Sequence, residues 1–125
     1  MRRIAALLAF ALSASPALAQ DIWTWTLYED RASLALANEV PDTSKLAAVL
    51  ECKPGDGMAK VSVFPQNGAG RAPPVVSEIK TGDAAFVAFV RTGKLSLKTD
   101  AGSGEIAMDP EHRAKLERFA RLCGA

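Results

Sequence analysis

Apolar and polar residues alternate with a period of two along much of the chain. In "DIWTWTLYE", Trp23, Trp25 and Leu27 fall on one side of an extended backbone, and Ile22 falls on the other with the threonines. This alternation predicts a strand with one buried face. Seven further short runs follow it, and turn-forming residues separate them: "ASLALA", "LAAVLEC", "MAKVSVF", "VVSEIK", "AAFVAFV", "KLSLKT" and "EIAM".

The residues between these runs indicate an antiparallel arrangement. "KPGDG" is a strong turn signal, because Pro54 fixes φ and the glycines tolerate positive φ. "PQNGAGRAPP" predicts the longest connection without regular structure. "AAFVAFV" is apolar throughout, which we interpret as a central strand or a strand packed under a helix. About eight short strands predict a mainly β fold, a small antiparallel sandwich or barrel.

The last segment changes to a helical period. Asp109 is suited to the N-cap and Pro110 to the first helical position. An apolar stripe with the spacing i, i+3, i+4, i+7 follows in "LERFARLC", with charged residues between its members. Because Gly124 follows this stripe, we expect a C-terminal helix over about residues 110–123.

The first residues have the pattern of a secretory signal peptide. Arg2 and Arg3 precede an apolar stretch that is too short to span a bilayer, and Ala17-Leu18-Ala19 provides a cleavage signal. We therefore expect a signal peptide at 1–19, removed after Ala19 or one residue later. A single domain at 20–125 would remain in the periplasm or be secreted, without a membrane span.

The charge of the expected mature chain excludes two classes of partner. Two of the 15 Lys and Arg residues lie in the leader, so 13 remain against 14 Asp and Glu. The remaining charges are interspersed, and no basic block is present that would follow a phosphate backbone or an anionic membrane. We therefore expect no binding to nucleic acid.

The two cysteines predict one disulfide bond. Cys123 lies on the apolar stripe of the predicted helix, and Cys52 ends an apolar strand. Paired cysteines in an exported chain commonly form a structural disulfide. We expect this bond to hold the C-terminal helix on the sheet. Redox catalysis is the weaker interpretation, because Cys123 lies at a helix C-terminus, where the helix dipole disfavours a thiolate.

The sequence contains no recognisable catalytic, cofactor or metal motif. His112 is the only histidine, and we expect it at the surface rather than in a catalytic site. The glycine-rich loops lack the helix and the lysine of a phosphate cradle. As a possible binding surface we single out Trp23, Trp25 and Arg71. The tryptophans share a strand face, on which core packing is the favoured role, and Arg71 lies in the long Pro/Gly loop.

The order of these features resembles small periplasmic β-proteins of proteobacteria. A leader, an early Trp-rich strand, "LEC" before a turn and a closing "FARLC" make up this layout. The early tryptophan resembles the invasion-associated locus B family, whose members are exported β-domains with disulfides. The stretch "ECKPGDGMAKVSV" resembles the membrane-bound C-type lysozyme inhibitors. The first resemblance implies an exported β-domain with disulfides. The cysteine that follows the early tryptophan in the locus B family is missing here. The Ser-Gly-Ser-x-Tyr-like element of the inhibitors is matched only by "AGSGEIAM", which has no tyrosine, so no functional residue is carried over.

These observations predict a non-enzymatic envelope protein that binds another envelope or periplasmic protein and needs no cofactor. A β-barrel protein that binds a small ligand or a glycan, through the barrel mouth or the tryptophan pair, is the first alternative. A hydrolase is the second alternative, and it requires His112 to meet a serine or a carboxylate in a polar pocket.

Overall fold

The computed structural model describes residues 22–66 and 73–124. The predicted leader, its cleavage site and Arg71 lie outside these residues. No helix in the described residues is long and apolar enough to cross a membrane. Seven strands and two α-helices follow one another in these residues: β1 (Thr24–Glu29), β2 (Leu34–Glu39), β3 (Leu46–Cys52), β4 (Met58–Val63), β5 (Val75–Lys80), α1 (Ala84–Thr92), β6 (Lys94–Thr99), β7 (Gly102–Ala107) and α2 (Arg113–Cys123). The predicted C-terminal helix over 110–123 begins with a 3-10 turn, Pro110–His112, and continues as α2.

Strands β1 to β5 form one antiparallel sheet in chain order. Each strand returns beside the one before it, and the pairing aligns a row of inward-facing residues across the sheet. This row runs through Leu27, Leu36, Leu50, Val61 and Ser77. Strands β6 and β7 form a separate antiparallel hairpin.

The core lies between this sheet and a second layer made of both helices and the hairpin. The two layers share one apolar cluster, and its largest fully buried side chains are Phe86, Phe89 and Phe119. The sheet contributes Trp25, which supports the predicted core role for that indole. The predicted fold class is confirmed: the protein is mainly β and antiparallel, with a C-terminal helix.

The segment "AAFVAFV" is helix α1, and its interpretation as a strand is wrong. Asp83 precedes the helix in an extended conformation, and Gly93 ends it with φ of 81° and donates its N–H to Phe89 O at 2.6 Å. A Cβ at Gly93 would lie 2.5 Å from the carbonyl oxygen of Met108. Asp before a run rich in alanine and Gly after it are the start and stop signals of a helix.

Strand β7 begins at Gly102, inside the stretch "DAGSG" that the sequence pattern assigns to a turn. A Cβ at Gly104 would lie 2.9 Å from two side-chain carbons of Val63 in β4. Glycine at this position therefore lets the hairpin pack closely on the sheet. The described strands number seven rather than about eight, and the open sheet is closer to a sandwich than to a barrel.

The predicted disulfide bond joins α2 to the end of β3. The Cα atoms of Cys52 and Cys123 lie 6.0 Å apart, within the usual range for bonded cysteines. Cys123 is fully buried with Leu116 and Phe119 on the apolar stripe. The sequence therefore identified both the pairing and the buried face of this helix.

The β3–β4 turn also binds the end of α2 through its backbone. Gly55 donates its N–H to Leu122 O at 2.9 Å, and Gly57 donates to Cys123 O at 2.7 Å. Both glycines have positive φ, 77° and 76°. The last carbonyls of a helix have no partner inside it, so this turn supplies the donors that they lack.

Two cations on α2 bind strand β1, at the edge of the sheet. Lys115 Nζ donates to the carbonyl oxygen of Trp25 at 2.5 Å. Arg118 donates two hydrogen bonds to the carboxylate of Glu29, at 2.6 and 2.9 Å. These bonds lower the pKa of Glu29 and raise the pKa of Arg118. Helix α2 is thus connected to the edge strand of the five-stranded sheet by both a backbone and a side-chain contact.

Candidate functional site

A polar cluster forms where α2 begins. Asp109 Oδ1 lies 2.6 Å from Nδ1 of His112, and Nε2 of the same ring lies 3.4 Å from Thr24 Oγ1. An ionised carboxylate only accepts hydrogen bonds, so Nδ1 carries a proton. Asp109 was predicted as a helix N-cap, but its side chain makes no capping bond and holds the imidazole instead. His112 is thereby connected to both β1 and the start of α2.

The same cluster contains potential metal ligands. Ligand atoms of Asp109, Glu111 and His112 all lie within 4.8 Å of one another. The sequence pattern predicts no cluster of metal ligands, although the short stretch "DPEH" contains all three of these residues. Both carboxylates are exposed, and Asp109 already binds the ring. Exposed groups of this kind are common without a metal, so we assign no ion to them.

The two tryptophans occupy different environments. Trp25 is 5% exposed and belongs to the core, whereas Trp23 precedes β1 and is 38% exposed. A stacking platform made of two exposed indoles is therefore not formed. Arg71, the third residue of the suggested binding surface, lies outside the described residues.

The outward side of α1 is the most apolar exposed helical surface in 22–66 and 73–124. Phe86 and Phe89 face the core, whereas Ala84, Val87 and Ala88 lie on the opposite side of the helix. Val87 is 48% exposed. A helix that is apolar on all sides is usually buried on all sides, and α1 is covered on only one.

An open groove separates α1 from α2 next to this surface. Its volume is about 350 Å³, and apolar groups dominate its walls. Arg91 contributes a cation from α1, and Glu117 contributes an anion from α2. The residues that line it are Thr81, Phe86, Val87, Val90, Arg91, Glu117 and Ala120.

Comparison with known proteins gives no family assignment. No protein-family model matches the chain, and no similar protein is found among curated proteins or solved structures. The resemblance to the two periplasmic families therefore stays a prediction. The chemistry of the chain's own surface remains as the guide to function.

Proposed function

We propose that this protein is an exported, non-enzymatic module that binds another protein chain through the exposed side of α1. The observation that carries this proposal is the solvent exposure of an apolar helix face. Val87 is half-exposed, and Ala84 and Ala88 on the same side offer no polar group to water. A protein surface of this composition gains most by docking against a second apolar surface.

Two features support the export of the protein. The chain contains a disulfide bond between Cys52 and Cys123, and such bonds persist mainly in oxidising compartments. Residues 1–19 have the charge and apolar pattern of a leader. Together they favour a periplasmic or secreted location for the domain.

The groups at the ends of the surface define the chemistry of the partner segment. Asp83 precedes α1, Arg91 lies in its last turn, and the apolar side chains lie between them. A complementary segment would present a basic group to Asp83, an aliphatic side chain to Val87 and an acidic group to Arg91. An amphipathic helix with these groups on one side meets this requirement.

The polar cluster at His112 makes hydrolysis the second candidate function. Its order of carboxylate, imidazole and hydroxyl is the order that activates a nucleophile. However, the hydroxyl belongs to Thr24, and the 3.4 Å contact is longer than an ordinary O–H···N hydrogen bond. We favour a structural role in which His112 holds the start of α2 on β1.

Ligand binding in a barrel mouth has less support. The described strands leave the sheet open, and Trp25 is buried, so neither surface that this alternative needs is formed. Protein binding through α1 therefore agrees best with the exposed surface.

Site-specific photo-crosslinking in the producing cells tests the proposed function. A benzophenone amino acid at Val87 should yield a defined adduct with a protein chain, to be identified by mass spectrometry. Val76 is the matched control, because it is a 39% exposed valine on the sheet. The adduct should weaken when Arg91→Glu is added. Equal labelling from both positions, or no adduct from either, would contradict the proposal.

A further inference from the structure

We infer that the chain that docks on the exposed side of α1 is a second copy of this protein, packed antiparallel about a two-fold axis near Val87. This inference rests on the proposed function, because it names the partner of the same surface. A self-complementary arrangement of charged and apolar residues along α1 carries it.

Four residues on the side of α1 away from Phe86 and Phe89 form a stripe, in which Ala88 is half-buried and the other three are exposed. Ala84, Val87, Ala88 and Arg91 have the spacing i, i+3, i+4, i+7, and Asp83 stands immediately before them. Asp83 and Arg91 are separated by about 12 Å along the helix axis at 1.5 Å per residue. The stripe is therefore acidic at its start, apolar in its middle and basic at its end.

An antiparallel pair of such helices matches these groups. A two-fold axis at Val87 brings the start of each helix to the end of the other. Asp83 of each copy then faces Arg91 of the other, and Val87 packs against Val87 of the other copy. The small alanine side chains allow the two backbones to approach closely.

Neither charged group has a side-chain partner among the described residues. The Asp83 carboxylate makes no capping bond, and it forms no ion pair with residues in 22–66 or 73–124. The Arg91 guanidinium likewise forms no ion pair with these residues. The hydrogen bond from Arg113 goes to the backbone carbonyl oxygen of Arg91 and leaves its side chain available. Both side chains are exposed and remain available to a second copy.

The length of the helix limits the strength of this dimer. Nine residues extend over about 13.5 Å. A symmetric contact of this length buries less area than the 1,200 Å² or so that stable complexes usually need. We therefore expect a dimer that dissociates on dilution.

Sedimentation equilibrium of a chain that starts at Gln20, over a range of concentrations, tests the inference by charge reversal. Asp83→Lys or Arg91→Glu alone should lower the association constant about tenfold, because each replaces two attractive contacts with two repulsive ones. The double variant restores opposite charges in exchanged positions, so its association constant should return to within about threefold of wild type. Asp100→Lys and Arg121→Glu, on exposed residues elsewhere, should leave it unchanged.

A variant in the middle of the stripe leaves both charged residues in place, and its circular dichroism spectrum shows whether the chain still folds. Val87→Glu should keep the circular dichroism spectrum and abolish the dimer. Wild-type protein that stays monomeric at millimolar concentration, or a double variant that is no better than the single ones, overturns the inference.

The crosslinking at Val87 separates this inference from the proposed function. An adduct of two copies of the chain supports both. An adduct with a different protein overturns the dimer but leaves protein binding in place, whereas no adduct at Val87 removes both.

Discussion

The two helices contribute to the same apolar core, but they are attached to the rest of the fold in different ways. Helix α2 is amphipathic: it buries one apolar stripe, and Lys115 and Arg118 bind strand β1. Helix α1 is apolar on both sides, and packing of Phe86 and Phe89 provides its main attachment. Only α2 has a covalent bond to the sheet.

The two helices also differ in the residues on the side that faces away from the core. On α2, the side away from the core carries charged residues that water solvates, as expected for a helix that has no further partner. On α1, the corresponding side carries Ala84 and Val87, which water does not favour. This contrast supports the proposal that α1 presents a docking surface.

Among the changes that test this difference between the helices, removal of the disulfide bond should lower the stability of the protein most. The bond closes a loop with a sequence separation of 71 residues, which stabilises the folded chain by about 4 kcal/mol in the loop-entropy model. We expect Cys123→Ser to lower the Tm by at least about 10 °C. Thermal unfolding followed by circular dichroism measures this change.

Hydrogen exchange of the same variant sharpens the comparison between the helices. Amides of α2 should lose protection first, because the bond holds that helix, while amides of α1 should change less. Cys52→Ser is the matched control and should reproduce both results. An unchanged Tm, or equal loss of protection in the two helices, would show that packing alone holds α2.

A change in the β3–β4 turn should have an intermediate effect on the attachment of α2. Gly55 has φ of 77°, and no heavy atom lies within 4 Å of a Cβ placed there. The cost of Gly55→Ala is therefore backbone strain, about 1–2 kcal/mol, or roughly 5–10 °C in Tm.

Two further substitutions isolate this strain. Gly55→Asn should cost less, because asparagine tolerates the left-handed conformation better than alanine. Gly82→Ala, before α1, is the control without positive φ and with equal space, so its Tm should not fall. A similar loss at Gly82 would mean that positive φ is not the cause.

The same contrast explains which parts of the fold the sequence reveals. Helix α2 has a complete local signal, with Asp109 and Pro110 before it, one apolar stripe and Gly124 after it. The stretch "AAFVAFV" has no such period, so hydrophobicity alone cannot separate a helix from a buried strand. The signals that distinguish the two are Asp83 and Gly93 at its ends, and both residues are also typical of turns.

Less of the candidate site than of the fold could be predicted from the sequence. Its surface exists because α1 turns Val87 outward, and that orientation depends on the assignment of the segment as a helix. The contact between His112 and Thr24 spans 88 residues, so no local pattern could indicate it. Trp25 differs because strand alternation alone placed it on the face that became the core.

The ion pair between Arg118 and Glu29 should give the smallest effect, because both side chains are largely exposed. Arg118 lowers the pKa of Glu29 from its ordinary value of 4.5, mainly through the hydrogen bond, while partial desolvation opposes this. A lowered pKa means that the folded protein binds fewer protons than the unfolded chain. The stabilisation is therefore complete above pH 4.5 and is lost as the pH falls through the folded pKa. We expect Arg118→Gln to lower the Tm slightly at pH 7, and we expect its difference from wild type to disappear as the pH falls through the folded pKa of Glu29. Arg121→Gln, one turn further along α2 and without an ion pair in the described residues, should show no such pH dependence. If the difference between Arg118→Gln and wild type persists in acid, the aliphatic stem of Arg118 rather than its charge holds α2 against β1.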